Sequence, residues 1–360
     1  MYKTKLLLGQ LRVLKKLTAQ NHSLPILEGV WFDGGKIMSS DLEWNVRMAT
    51  EYKGLGFVVN LKQLEDCLKA IKTEAFEIHL LKDKVAIGAV GKKREFKLPF
   101  DPVDEFPRLP ECNKDVGHLR DEDVENIVRL KQFTAKDELR PVMSCVYLEK
   151  DQMIATDAHR LCWLPMKGEV TENIMIPREK IELLKEVMNC DVFSNEGYDT
   201  MEGGTIRFQG ATCEVFVRTV SGKYPDYKAV LPKETPITCK ISRKEVLETL
   251  GCAKECANKS NYQAVFELSK KAMEVSSQDL DRSLEFKETI EAETEMPEDK
   301  FIVGFDLSLL IGILKDIDET YVTLMFQDDR GKDGKEGQKG QTRAAMVNKN
   351  HLIMPVMLNG

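Results

Sequence analysis

At 360 residues the chain is too long for one ordinary hydrophobic core and implies two or three domains. Charged residues make up 31% of it, no window approaches the roughly 18 apolar residues of a membrane span, and "MYKTKLLLGQ" lacks the features of a secretory leader, so no membrane association and a cytoplasmic location are expected. The net charge of −7 excludes a protein that coats nucleic acid by bulk attraction, because neutralising phosphates takes concentrated Lys and Arg; any DNA contact has to be local or topological.

The first amphipathic segment, about 7–19, gathers Leu7, Leu11 and Leu14 on one stripe and Arg12, Lys15 and Lys16 on another face. Residues 24–41, "LPILEGVWFDGGKIMSSD", alternate apolar and polar positions as two strands joined by a tight turn. A second helix at 60–74 uses Leu61, Leu64, Leu68 and Ile71 as its stripe, with Lys69 and Lys72 on the exposed side. Taken singly, such lysines read as a solvated helix face, and only their recurrence in a repeated unit gives them a functional reading.

Residues 140–157, "RPVMSCVYLEKDQMIATD", repeat the 24–41 pattern without a gap, matching Pro25 to Pro141, Val30 to Val146 and Asp41 to Asp157. A weaker third copy, "SNYQAVFELSKKAMEVSSQD" at 260–279, keeps Val265 and the Ser276–Ser277 end, loses the proline and gains a residue. Helical periodicity at about 121–133 and 177–189, then 242–258 and 306–318, gives each third two helices beside its strands. Proline-containing segments at 100–111 and 220–236 set boundaries near 117 and 236, hence domains 1–117, 118–236 and 237–360. The stretch "QDDRGKDGKEGQKGQTR" at 327–343 has no apolar face and is expected to form a mobile hairpin loop.

Nine cysteines scattered singly read as reduced thiols. Cys252 and Cys256 share a helix face, but no CxxC or second ligand pair accompanies them, so no metal is expected. The stretch "ATDAHRLCWLP" sets Asp157, His159 and Arg160 almost side by side, which invites an acid–base enzyme. Residues two apart on a strand point the same way without necessarily facing each other. No Ser or Cys sits in a nucleophile-elbow or triad context, and no P-loop, GxGxxG, HExxH or paired-acid motif occurs, so catalysis has no support and no cofactor is implied.

Taken in order, "LPILEGV" with "SSDLE", "RPVMSCVYLE" with "ATDAHRL" and "GKYPDYKAVLP", and a terminal "HLIMPVML" resemble the bacterial-type beta sliding clamps, processivity subunits of DNA polymerase III, over essentially the whole chain. The resemblance implies an α+β fold of three repeated sliding-clamp (DNA clamp) domains, each with two helices packed on antiparallel sheet, the chain forming half of a closed ring. It implies a non-catalytic homodimer, joined head to tail, whose helices line a hole around double-stranded DNA. Its implied partners are the replicative DNA polymerase, the clamp loader and other proteins with clamp-binding motifs. Edge strands joined across domain and subunit boundaries would be protected from stray pairing.

Carried over position by position, the resemblance implies a shallow apolar peptide pocket of Met143, Thr156, His159, Arg160, Leu161, Pro232, Leu352, Ile353, Met354, Pro355 and Val356. Methionine offers a surface adaptable to several partners, and His159 and Arg160 are placed to orient polar groups of a peptide. Read alone, Met143 and Leu161 fit core packing equally well, and His159 a structural hydrogen bond. Arg12, Lys15, Lys16, Lys69 and Lys72 would face DNA, and Phe106 and Leu109 would meet the segment from Tyr262 to Phe266 at the dimer contact. Ala158 stands where the family generally has glycine, Val356–Met357 replaces a usual Met-Arg, and Asn359–Gly360 extend the end, which leaves the preferred peptide open. A clamp-like ring that binds partners but never DNA is the second reading; the direction of the basic faces separates the two.

Overall fold

Helices α1 (Thr4–Leu14) and α2 (Leu61–Ile71) form where the apolar stripes lie. Leu7, Leu11 and Leu14 are buried on α1, and Leu61, Leu64, Leu68 and Ile71 on α2; each such leucine contributes roughly 1.5–3 kcal/mol by leaving water. Asn60 starts α2 by accepting a hydrogen bond from the Gln63 amide at 3.1 Å, and the left-handed Lys72 ends it. The end of α1 tightens: the amides of Lys16 and Leu17 bond to the carbonyls of Val13 and Leu14, three residues back, so Lys15 and Lys16 lie just beyond the regular helix.

The computed structural model describes residues 1–18, 24–137, 139–297, 299–327 and 343–358. They divide into two compact units, one comprising Met1–Lys131, Cys145–Met153 and Pro165–Lys223, the other Gln132–Ser144, Ile154–Leu164 and Tyr224–Gly360. The loop expected at 327–343 falls almost wholly outside the described residues, as do Asn359 and Gly360.

In the first unit a four-stranded antiparallel sheet runs Tyr2–Lys3, Ala75–Leu80, Lys84–Ala89, Glu95–Pro99. A nine-stranded sheet runs Glu169–Val170, Cys112–Leu119, Cys190–Asn195, Thr205–Gln209, Cys213–Arg218, Trp44–Ala49, Lys36–Ser40, Gly29–Asp33, Phe57–Asn60. Its continuity rests on one antiparallel pairing, Cys213–Arg218 against Trp44–Ala49, with Val215 opposite Val46. Strands from the first and second thirds of the sequence thus share one sheet, with their edges covered.

Helix α3 (Asp121–Leu130) buries Val124, Ile127 and Leu130 and carries a buried carboxylate, Asp123. That charge is tolerated because it accepts hydrogen bonds from the amides of Arg120, Lys167 and Gly168 at 2.9, 2.6 and 2.8 Å. The segment expected as a helix at 177–189 is a 3-10 helix, Ile181–Val187. Its buried Ile181, Leu184 and Val187 recur every third residue, which lines them up on a three-residue turn.

In the second unit, strands Arg160–Pro165, His351–Ile353, Ala345–Val347, Tyr321–Phe326, Ile237–Ser242 and Glu293–Glu295 pair in that order, all antiparallel. A second sheet runs Leu284–Glu291, Ala272–Asp279, Gln263–Ser269, Phe301–Asp306. Helices α4 (Arg243–Cys256) and α5 (Leu307–Asp316) pack on one another. Ser242 caps α4, and Asp306 caps α5 by accepting from the amides of Ser308 and Leu309.

Candidate peptide-binding site and basic helix faces

The strand Gln152–Thr156 ends in a turn built by Asp157. Its Oδ1 accepts from the amides of His159 and Arg160 at 3.0 and 2.7 Å, and its Oδ2 accepts from Nε and a terminal nitrogen of Arg160 at 3.1 and 2.9 Å. The other guanidinium contacts are the Gln132 carbonyl at 2.8 Å and the Phe133 ring, whose centroid lies 5.2 Å away. Thr156 Oγ1 donates to the Arg160 carbonyl at 2.7 Å. Every strong acceptor site of Asp157 is engaged in holding the turn, which leaves no carboxylate for acid–base work.

The same construction recurs. Asp41 Oδ1 accepts from the amides two and three residues on, Glu43 and Trp44, and Asp279 Oδ1 from those of Asp281 and Arg282. The second oxygen takes a cation each time: Lys180 for Asp41, Arg160 for Asp157, Arg282 Nε at 2.7 Å for Asp279. The aspartate is therefore a repeated structural device. The third strand, Ala272–Asp279, is longer than its counterparts Lys36–Ser40 and Gln152–Thr156, which accounts for the weaker alignment of that copy.

Ala158 sits at φ +72°, in the left-handed region that costs an L-residue about 1–2 kcal/mol. Ala158→Gly relieves that strain against a smaller loss of unfolded-state restriction, and should stabilise the protein by about 0.5–1 kcal/mol. The expected reading is a higher urea midpoint at unchanged slope; a lower midpoint would mean the turn is not strained.

The strand pair beside this turn matches Arg160 with Ile353, Leu161 with Leu352 and Cys162 with His351, and the Met354 amide donates to the His159 carbonyl at 2.8 Å. Thr156, Leu161, Leu352 and Ile353 are buried. Met354, Pro355 and Val356 are half-buried and His159 is exposed. Met143, in the 3-10 turn Pro141–Ser144, and Pro232, just after the turn Tyr227–Val230, are half-buried on separate loops of the same unit. Beyond Pro355 the chain runs along the second sheet: the Val356 amide donates to the Gly304 carbonyl at 2.9 Å, and Gln263 Nε2 to the Met357 carbonyl at 3.1 Å. A groove of about 730 Å³ on that sheet is lined by Asn258, Asn261, Ala264, Leu280, Phe286 and Leu358, among others.

Arg12, Lys15, Lys16, Lys69 and Lys72 are all exposed. Lys15 and Lys69 both bond Glu65, at 2.9 and 2.5 Å, and Lys16 lies 3.4 Å from Glu186. Hydrogen bonds from Lys15 and Lys69 hold the Glu65 carboxyl down at about 2. Among the described residues, Arg12 and Lys72 have no carboxylate partner.

The side chains expected at a dimer contact need correction. Phe266 is fully buried, ring to ring with Phe305 at 5.5 Å, and Phe106 is buried against Met38, Val58 and Trp31. A ring already covered by its own chain has no apolar area left for a second copy. Leu109 and Tyr262 remain half-buried.

None of the nine cysteines is in a disulfide; Cys252 is exposed and Cys256 half-buried on α4, and burial pushes the thiols of Cys190, Cys213 and Cys239 up to about 12. No helix among the described residues is long and apolar enough to cross a membrane.

No family model matches the chain. In sequence it is similar to the beta sliding clamp of Halalkalibacterium halodurans, 26% identical over 269 residues covering 66% of this chain and 69% of that one. It is also similar to that of Streptomyces coelicolor, 23% identical over 357 residues covering 93% of each. In structure it is similar to the beta subunit of DNA polymerase of Streptococcus pyogenes, with a TM-score of 0.84 over 99% of both chains at 16% identity. The chain is thus similar in sequence to beta sliding clamps, and its fold is that of the DNA polymerase beta subunit.

Proposed function

We propose that the chain is a DNA sliding clamp: a non-catalytic processivity factor that encircles double-stranded DNA as a homodimer and tethers the replicative polymerase. Residues 1–117, 118–236 and 237–360 are its three domains, and the pocket beside Asp157 receives peptide motifs of polymerase, loader and repair partners.

The pattern of strand pairing between repeats carries the reading. In the first third, the strand after the aspartate turn, Trp44–Ala49, pairs with the last strand of the second third, Cys213–Arg218. In the second, the strand after the turn, Arg160–Pro165, pairs with the last strand of the third, His351–Ile353. The strand after the third turn, Leu284–Glu291, is a sheet edge, and so is Glu95–Pro99, the last strand lying wholly within the first third. Pairing these two between copies continues the same rule, covers both edges and closes a head-to-tail dimer. Backbone hydrogen bonds then supply the contact in which Phe106 and Phe266 take no direct part, with Leu109 and Tyr262 flanking it.

Light scattering at micromolar concentration should give twice the mass of the chain. Proline at successive positions of the outer edge, Phe286→Pro and Lys287→Pro, should dissociate the dimer in the variant whose amide points outward. A monomeric wild-type protein would overturn the reading.

Whether the basic faces of α1 and α2 point inward separates this from a ring that never holds DNA. Arg12 and Lys72, free of carboxylates among the described residues, favour DNA, as the lysines bonded to Glu65 alone would not.

A further inference from the structure

Three side chains with metal-ligand chemistry meet in the interior of the second unit, away from the exposed surface of the proposed pocket. Cys162 comes from the strand Arg160–Pro165, His351 from the strand paired with it, and Asp316 from the last residue of α5. All three are buried, and their ligand atoms lie within 4.8 Å of one another. His351 Nε2 is 2.9 Å from Asp316 Oδ2, and Gln132 Nε2 donates to Asp316 Oδ1 at 2.5 Å. The imidazole and carboxylate side chains are only 5% and 3% exposed.

A buried cysteine, carboxylate and histidine whose ligand atoms lie this close together are the donor set of a small divalent ion. Thiolate and imidazole together select Zn²⁺ over Mg²⁺ or Ca²⁺. One Zn²⁺ with one thiolate, one carboxylate and a neutral imidazole is neutral overall, the condition for burying it.

We propose that Cys162, Asp316 and His351 form a zinc site that ties the strand pair under the pocket to the end of α5. Ligand distances of about 2.0–2.3 Å are reached when the three side chains close by about an ångström. The Gln132 carboxamide, already touching Asp316, takes the fourth position by turning its oxygen inward. Binding removes the thiol proton of Cys162 and leaves the imidazole neutral, so uptake of the ion releases one proton.

The test uses the intact dimer, stripped with a chelator, equilibrated with Zn²⁺ and desalted. Elemental analysis should give close to one zinc per chain, and Zn²⁺ should raise the melting temperature in a concentration-dependent way. Co²⁺ in its place should give a thiolate-to-cobalt charge-transfer band that Cys162→Ser abolishes, while His351→Gln weakens binding at least tenfold. Cys252→Ser, on the exposed face of α4, should leave both readouts unchanged. Wild-type protein that retains no zinc overturns the site, whatever the variants do. A cobalt band lost in Cys252→Ser overturns it as well, by placing the metal on surface thiols.

Discussion

Loaded by a clamp loader onto a nicked DNA circle, the protein should survive a high-salt wash and then leave within minutes once the circle is cut at one site. A chain of net charge −7 cannot hold duplex tightly through phosphates, since binding of that kind weakens steeply with salt, with a logarithmic slope of about −0.9 for each phosphate neutralised. A closed ring needs no such affinity, because departure requires either an opened interface or a free DNA end. On the proposed reading the basic faces serve entry and sliding. Replacing Arg12, Lys15 and Lys16 together should weaken loading and flatten its salt dependence by about 0.9 for each phosphate that the variant no longer neutralises, while Leu7, Leu11 and Leu14 keep the helix packed. Glu65→Gln should act in the opposite sense, freeing Lys15 and Lys69 from their shared carboxylate. Equal retention on circular and linear DNA would sink the sliding reading.

The repeat and most of the helices are legible in the sequence because both are periodic. Stripes such as Leu61, Leu64, Leu68 and Ile71 specify a face without help from the rest of the chain. The 177–189 segment is less legible, because Ile181, Leu184 and Val187 suit a three-residue turn as well as an α-helix, and tertiary packing makes the choice. Phe106 and Phe266 mislead for a related reason: a large ring on a strand is visible in sequence, but whether it enters its own core or faces a neighbour depends on which side of the sheet it takes. Asp157 carries its own clue, since Asp41 and Asp279 end the same hairpin in the other copies, and an aspartate repeated at a turn argues for geometry over chemistry. Cys162, Asp316 and His351 give no clue at all. They are separated by long stretches of chain and share no spacing motif, and only strand pairing and the end of α5 bring them together.

A short extended peptide carrying Leu and Phe anchors should bind the chain at about micromolar affinity, and Met354→Ala combined with Val356→Ala should weaken it by roughly 10- to 100-fold. The estimate follows from burial: each anchor contributes roughly 1.5–3 kcal/mol before ordering costs, and truncating the wall it rests on forfeits about half to most of one anchor. Point changes are the sharper instrument than removal of the chain end. Residues beyond Met354 also bond Gly304 and Gln263, and Leu358 lines the groove on the second sheet, so a truncation would disturb the edge that we assign to the dimer. With alanine at 354 and 356 the Val356 amide keeps its bond to Gly304 and the Met354 amide its bond to the His159 carbonyl, so the backbone path and the Asp157 turn persist. Light scattering on the variant should still give a dimer, and calorimetry should show the loss of peptide affinity alone. Unchanged affinity in a folded, dimeric variant would mean that partners dock elsewhere, and the exposed His159 beside that turn would need a different purpose.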